Sequence, residues 1–546
     1  MNNWDVIVVG AGCGGLTAAA AAAKEGKRVL LLERHNVPGG FATSFVRGRF
    51  EFEASLHQLC SFGTSEKSGS TRDILEKLGV ASAVKWVDIP GAYRLITTGS
   101  GGEPIDAVMP FGVEAYIAKM EQYVPGSRPS MERLFALAEE IVNTTGFMSS
   151  LDGKYDLKAI NAILKEHMNF LRTAPYCVND VLDALAVPKK AQDIFCAYWM
   201  YLGAPSDTLS FIHYISMVYS YLTLGAVAPK HRSHDLSLAL AHCVEENGGE
   251  VRYNSHVTRI LTSKGSVSGV KLADGTIHKA KAVICGISPT TVYSKMINFE
   301  DVPKSCIQLT NARKFSARGL CMYLGLNRSY DELGITDHSL FICDTADSRK
   351  QFDLMGKLDS NNAQAVVCYN VADNTCSPKG TTIMCFTSYY TSDCFSEVSP
   401  EEYFNVKQRI AQRFVDNYEK ATGIAIREHI EEIELATPVT YAHYTDAPQG
   451  AIYGYYADDW DGVVARTMCK EQDRSVNGLY FCGGWGKMLS GYSSSISSGF
   501  EAAQDALAGD AAVQPEPEPE ASAAAQPEPT PEPEPVQENT EVAGDE

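Results

Sequence analysis

The sequence predicts an α/β protein in which a Rossmann-like unit, a parallel sheet with covering helices, is interrupted by a mixed sheet and a helical segment. Three observations predict it. The chain opens on a strand, a glycine turn, an alanine helix and a second strand, in the order and spacing of a βαβ unit. Buried-type strands return around Ala282 and again before Gly483. Between these returns the pattern changes to amphipathic helices and then to strands separated by a strong helix.

The opening run, Asp5 to Val9, is rich in β-branched residues and too short for a helix, so it reads as a buried parallel strand. Gly10, Gly12 and Gly15 follow at G-x-G-x-x-G spacing, and the alanine-rich run from Leu16 to Ala23 is a helix able to pack tightly on a sheet. Glycine is required because a Cβ would obstruct the turn and hold the backbone away from a pyrophosphate, which the free N–H groups of a helix N-terminus attract. A second strand, Arg28 to Leu32, ends in Glu33, roughly 20 residues past the glycines, where a carboxylate can accept both ribose hydroxyls of an adenosine. A lone glycine motif is weak. Set between two apolar strands, with the acid at this distance, it predicts a dinucleotide site rather than an ordinary glycine turn.

The chain is 546 residues long, enough for two or three domains, and its 45% hydrophobic content can fill sizeable cores. About half of the net charge of -20 lies at one end: Glu516 to Glu546 holds ten acids and no Lys or Arg. Such a balance speaks against nucleic acid as a partner. Fifteen cysteines occur without a C-x-x-C pair. No signal-peptide pattern opens the chain, so the cysteines are expected to be small core residues in a reducing cytoplasm, and no metal site is predicted. No apolar stretch reaches the roughly 18 residues of a membrane span.

From Glu33 the sequence runs on to Gly39 and Gly40, giving E-x-x-x-x-x-G-G, and then through Thr43 to R-G-R-F-E-F-E-A-S-L-H-Q-L. This extended fingerprint resembles the flavoprotein superfamily of amine oxidases, phytoene desaturases and retinol saturases, whose bound dinucleotide is FAD. The resemblance implies that Gly10, Gly12, Cys13, Gly14, Gly15, Glu33, Arg34, Gly39, Gly40, Phe41 and Thr43 lie at the cofactor. Many members have Arg or Lys where Phe41 stands. His57 falls in a strand-like segment that in this family runs close to flavin and substrate, which makes it either a catalytic candidate or a hydrogen-bonded core histidine.

Residues 71 to 229 read as a helical insertion, with Pro104 to Val124, Ser130 to Phe147 and Asn179 to Leu185 as amphipathic helices. Its aromatic end, from Cys196 to Gly225, is interrupted at Gly203 to Asp207, so it cannot cross a bilayer as one helix; it would line an apolar cavity, touch a membrane surface or form ordinary core. The nucleotide-binding unit then resumes with a helix over Ser237 to Glu246 and the strand holding Val257, whose counterpart in relatives contacts adenine through its backbone. Arg232 is a candidate for gripping a carboxylate or phosphate, or else a solvated loop residue.

From about Thr290 to Glu434, strand-like runs at 319–326, 363–369 and 381–390 and a helix at 401–421 predict the sheet of a substrate domain. The next run, A-T-P-V-T-Y-A-H-Y-T-D, resembles a loop that approaches the flavin in desaturase and saturase relatives. Tyr441 and His443 are the proton-transfer candidates there, with Tyr444 and Tyr453 as aromatic wall, or all of them as packing. Gly478 to Phe500 resembles the closing motif of the superfamily: a strand ends at Gly483 and Gly484, and a helix starting near Gly491 and Tyr492 points its N-terminus at the flavin ring. Many relatives carry Asp at Gly484.

The expected organisation is an FAD-binding domain from 1–70, 230–295 and 470–508, a substrate domain from 71–229 and 296–469, and a disordered Pro/Glu-rich tail over 509–546. The expected activity is FAD-dependent desaturation or saturation of a carbon–carbon bond in an apolar polyene, carotenoid, retinoid or related lipid, by hydride transfer to or from flavin N5. The alternatives are a double-bond isomerase using reduced FAD, an amine oxidase, and a flavin-binding membrane-surface protein without turnover. The electron partner is open: a quinone, oxygen, a protein carrier or a visiting pyridine nucleotide. The expected location is the cytoplasm, with peripheral association at the inner face of the membrane as a further option.

Overall fold

In the computed structural model, which describes residues 3–99, 103–151, 156–461, 466, 476–487 and 491–512, the opening strand Asn3–Val9 sits inside a seven-stranded sheet. It pairs in parallel with Val29–Leu32 on one side and with Ile277–Cys285 on the other, and Leu479–Phe481 adds in parallel beside the latter. The helix Cys13–Lys24 covers this sheet. Its alanines Ala18, Ala19, Ala20 and Ala22 are fully buried because both the sheet and the closing helix, Tyr492–Ala512, press on it. Two backbones meet here: a Cβ on Gly499 would run into the Gly14 carbonyl. The closing helix takes in the first four residues of the expected tail, Gly509 to Ala512; residues 513–546 lie outside the described residues.

A second seven-stranded sheet has the order Ile430–Ala436, Arg318–Leu326, Thr382–Tyr390, Gln364–Cys368, Ser339–Cys343, Tyr93–Thr97 and Asp106–Met109. Alternation along Arg318–Leu326 divides its two faces. Leu320, Met322 and Leu324 join the core that includes Phe414 and Tyr418 of the helix Tyr403–Thr422. Cys321 and Tyr323 belong to a different cluster on the other face, with Phe50, Phe52 and Tyr441.

Two expectations change here. Pro104 to Val124 is not one helix: Asp106–Met109 is an edge strand, Pro110 interrupts, and the helix Val113–Tyr123 begins only after Gly112 turns the chain at φ +89°. The helix expected from Ser237 starts at Ser233, directly after Arg232, which holds a positive φ of +73°. The aromatic run of the helical insertion is interior. Tyr198 and Tyr214 are fully buried, and their hydroxyls donate to the carbonyls of Ala92 and Phe195, so packing them costs no unmet hydrogen bond.

Candidate functional site

The glycines of the opening turn divide by what a side chain would meet. A Cβ on Gly15 would strike the Gly10 carbonyl, and one on Gly14 the backbone of Gly483; these two glycines permit close packing. Gly12, Gly483 and Gly491 are different, since a Cβ there would point into open space, bounded for Gly12 only by the Gly39 carbonyl at 3.9 Å. That space is a cavity of about 980 Å³. Gly12 caps the helix Cys13–Lys24 without a side-chain oxygen, which leaves first-turn N–H groups facing the cavity, and Gly491 and Tyr492 bring the start of the closing helix to the same cavity. Such a cradle suits a phosphate-bearing dinucleotide.

Glu33 stands on the cavity wall. Its Oε2 accepts the Ala11 N–H at 2.7 Å and its Oε1 the His35 N–H at 2.8 Å, so the carboxylate is fixed while lone pairs stay available for hydroxyls. Val9, Gly10, Cys13, Gly39, Gly40, Phe41, Val257 and Gly484 line the same cavity. Arg34 lines its rim and donates to the carbonyl of His443 at 2.7 Å. Tyr492 donates to the Phe41 carbonyl, and the Phe41 ring meets Tyr441 at a centroid distance of 5.4 Å. Thr43 does not reach the cavity wall; its hydroxyl faces His234 Nδ1 at 3.3 Å.

Of the three catalytic candidates, His57 and Tyr441 are buried on the cavity wall, whereas His443 is exposed and away from the wall; its carbonyl accepts from Arg34 and its ring packs edge-on against Tyr444 at 5.1 Å. The segment carrying Tyr441 is a helix, Pro438–Thr445, rather than a loop: Thr437 and Thr440 form a capping box and Pro438 occupies the first turn. His57 likewise lies past the end of its strand, which stops at Glu53. Arg232 is neither solvated nor at the cavity. It is buried and donates to the backbone carbonyls of Glu51 and Cys376, beside the buried Glu53, whose carboxylate accepts the N–H and hydroxyl of Ser233 at 2.6 Å each. Its planar fork braces the hairpin Ser44–Arg47/Phe50–Glu53 rather than a ligand.

Away from the glycines the wall becomes largely apolar and aromatic: Met200, Tyr201, Ile212, Met217, Tyr221 and Tyr453. Among these lie buried polar atoms that meet no partner among the described residues, His57 Nδ1, Gln58 Nε2, His213 Nδ1 and the Tyr389 hydroxyl. Burial lowers His57 and His213 to about 4, so both are neutral at pH 7.

Two wall residues had no motif to announce them. Cys321 and Thr387 are directly opposite in the second sheet, and the Thr387 hydroxyl lies 2.7 Å from His57 Nε2 and 3.2 Å from Cys321 Sγ. Burial pushes the Cys321 thiol up, but hydrogen bonds from Cys385, Thr387, Tyr441 and Tyr323 outweigh it and bring it down to about 7. The available sequence signal is Thr387, directly after the apolar run I-M-C-F. Among the described residues no group of three or more His, Cys, Asp or Glu side chains is placed to hold a metal ion, and no helix is long and apolar enough to cross a membrane.

Residues 8–78 match a family model described as an NAD(P)-binding Rossmann-like domain. The chain is 24% identical over 516 residues to the all-trans-retinol 13,14-reductase of Danio rerio, covering 88% of this chain and 83% of that protein. It is also 24% identical over 499 residues to prolycopene isomerase 2 of an Oncidium hybrid cultivar, covering 88% and 80%. With the 4,4'-diapolycopene oxygenase of Methylomonas it shares 23% over 495 residues, covering 88% and 94%. The chain is thus similar along most of its length to proteins named as a retinol reductase, a prolycopene isomerase and a diapolycopene oxygenase, and the resemblance first carried by the glycine segments extends well beyond those segments. The fold is that of solved oxidoreductases: one from Methanosarcina mazei has a TM-score of 0.61 at 16% identity, covering 92% of this chain and all of that one. The cyclohexylamine oxidase of Brevibacterium oxydans has 0.60 at 16%, covering 93% and 99%.

Proposed function

We propose that this protein is an FAD-dependent oxidoreductase that desaturates or saturates a carbon–carbon bond of an apolar polyene of the carotenoid, retinoid or related lipid class. The observation that carries the reading is a single cavity with a glycine cradle at one end and an aromatic chamber at the other. A cavity of about 980 Å³ is at the top of the roughly 300–1,000 Å³ range of ligand sites, which suits a dinucleotide and part of a long substrate together. Glu33 would hold the ribose hydroxyls, Gly12 and the first turn of Cys13–Lys24 the pyrophosphate, and Gly491 with Tyr492 the far end of the cofactor. When bound, the flavin supplies the hydride donor or acceptor. The chain's own part is to orient an extended apolar substrate between Met200, Tyr201, Tyr221 and Tyr453 and to exclude water from the reacting bond.

The substrate would enter beside Tyr176, a wall residue that is also exposed. Leu157, Ile160, Leu164 and Leu171 are exposed on the neighbouring short helices Leu157–Glu166 and Met168–Thr173, together with Lys158, Lys165 and Arg172. Apolar side chains edged by three cations and one acid, Glu166, on a chain of net charge -20 suit an anionic lipid surface, from which an apolar substrate would pass to the cavity. Prolycopene isomerase relatives favour a second reading, isomerisation of a polyene double bond with no net redox change.

The test is purification followed by spectroscopy and extraction. Oxidised-flavin absorbance and an apolar lipid in the organic extract are expected; a colourless protein that FAD fails to reconstitute would remove the proposal. Product formed without net consumption of an electron donor or acceptor would select the isomerase.

A further inference from the structure

The cavity wall holds a hydrogen-bonded row that neither cofactor binding nor an apolar substrate requires. His57 Nε2, Thr387 Oγ1 and Cys321 Sγ follow one another at 2.7 and 3.2 Å, and all three residues line the cavity. They come from three separate stretches, the loop after the hairpin and two neighbouring strands, so the row is a product of the fold. His57 is 8% exposed, and its other ring nitrogen, Nδ1, has no partner among the described residues.

We propose that His57, Thr387 and Cys321 form a proton relay, with Cys321 as the group that exchanges a proton with the substrate carbon adjacent to the one that exchanges hydride. The proposal rests on the functional reading above. In the saturating direction, a bound reduced flavin would supply hydride to one carbon of the double bond, leaving the π electron pair on its neighbour. That neighbour takes the proton of the Cys321 S–H bond, and the sulfur keeps the electron pair as thiolate. The Thr387 hydroxyl returns a proton to the sulfur and receives one from His57 Nε2, while Nδ1 takes one from a solvent hydronium ion, which leaves as water. Desaturation runs each transfer in reverse.

The neighbouring groups explain why the sulfur of Cys321, and not another atom, has this part. Cys385 also faces Thr387, at 3.6 Å, but does not reach the cavity wall. Tyr323 donates to the Ala54 carbonyl and lies 3.2 Å from the Tyr441 hydroxyl. Burial pushes both phenols, and those of Tyr369, Tyr453 and Tyr492, up, so at neutral pH they act only as neutral hydroxyls. His57 is kept neutral by burial, and His338, which faces it, is held lower still. Within this set Cys321 is the wall group able to give and regain a proton near neutral pH.

The experiment measures the thiol before it measures turnover. The flavin-loaded protein is treated with iodoacetamide across the neutral pH range, and modification at Cys321 is read by peptide mass spectrometry. The midpoint is expected near 7 in the native protein and about one unit higher in Thr387→Val, which lacks the bridging hydroxyl. An ordinary midpoint near 8.5, or no shift in the variant, would overturn the relay, and neither readout requires the substrate to be known. In the second arm, Cys321→Ala is expected to lower polyene turnover by roughly 10²–10⁴-fold while keeping the flavin spectrum. Native-like turnover in Cys321→Ala would overturn the relay with the functional reading intact. Absence of polyene turnover in the native protein would overturn the functional reading, and with it Cys321 as an acid on a polyene.

Discussion

Tyr492, at the start of the closing helix, donates its hydroxyl to the carbonyl of Phe41 at 2.8 Å, across a sequence separation of 451 residues. The same hydroxyl lies 2.7 Å from Ser55 Oγ. One phenol therefore ties the closing helix to the paired-glycine loop and to the segment that carries His57, and the cavity is closed at one point by parts of the chain that meet only in the fold.

The two kinds of glycine make opposite predictions. Gly12→Ala places a methyl in open space, so the melting temperature is expected to stay near that of the native protein while flavin affinity falls. Gly14→Ala drives a methyl into the backbone of Gly483, where no side chain can move aside, and is expected to cost about 1–3 kcal/mol of stability. Flavin titration and thermal unfolding of the two variants check the pair.

Glu33→Gln keeps the size of the side chain but loses the charge and one acceptor. If Glu33 holds ribose hydroxyls through charge-assisted hydrogen bonds, worth roughly 1.5–3 kcal/mol each, the variant binds FAD about 10- to 100-fold more weakly. Fluorescence titration of the apoprotein is the measurement.

Stability is expected to fall with acidification. His57 and His213 bind a proton near 6.5 in the unfolded chain but only at about 4 when folded, because burial disfavours the cation. The unfolded state therefore gains protons first as pH drops through 6.5. The stability present above that value is lost progressively down to about 4, amounting to about 2 kcal/mol per histidine by about pH 5. Urea unfolding at about pH 7 and about pH 5 checks this, and His213→Gln is expected to remove one histidine's share of the difference.

Leu157→Glu with Leu164→Glu is expected to abolish sedimentation with anionic vesicles without altering the flavin spectrum, since both side chains are exposed. Unchanged sedimentation of the double variant would move the lipid contact elsewhere.

The parts of this molecule built from local pattern were legible in the sequence. Strand, glycine turn, helix and acid follow within the first 33 residues, and the backbone spacing alone places Gly12 and Glu33 at one site. What was not legible depends on contacts between distant segments. Asp106–Met109 reads as part of a helix until its pairing with Tyr93–Thr97 is known. Arg232 has the chemistry of an anion grip, yet the backbone carbonyls of Glu51 and Cys376 occupy it. Cys321 and Thr387 look like strand filler until sheet register sets them opposite each other and a loop delivers His57 to the same hydroxyl. Conversely, His443 has a reactive side chain in a suggestive motif, but the helix Pro438–Thr445 turns it to solvent and presents Tyr441 to the cavity.

The central claim, flavin chemistry on a polyene, is tested most directly by mixing the flavin-loaded protein anaerobically with polyenes and with amines while following flavin absorbance. The account predicts that a more saturated polyene bleaches the oxidised flavin or that a more unsaturated one reoxidises the reduced form, with amines inert. Bleaching by amines alone, with no response to any polyene, would contradict it.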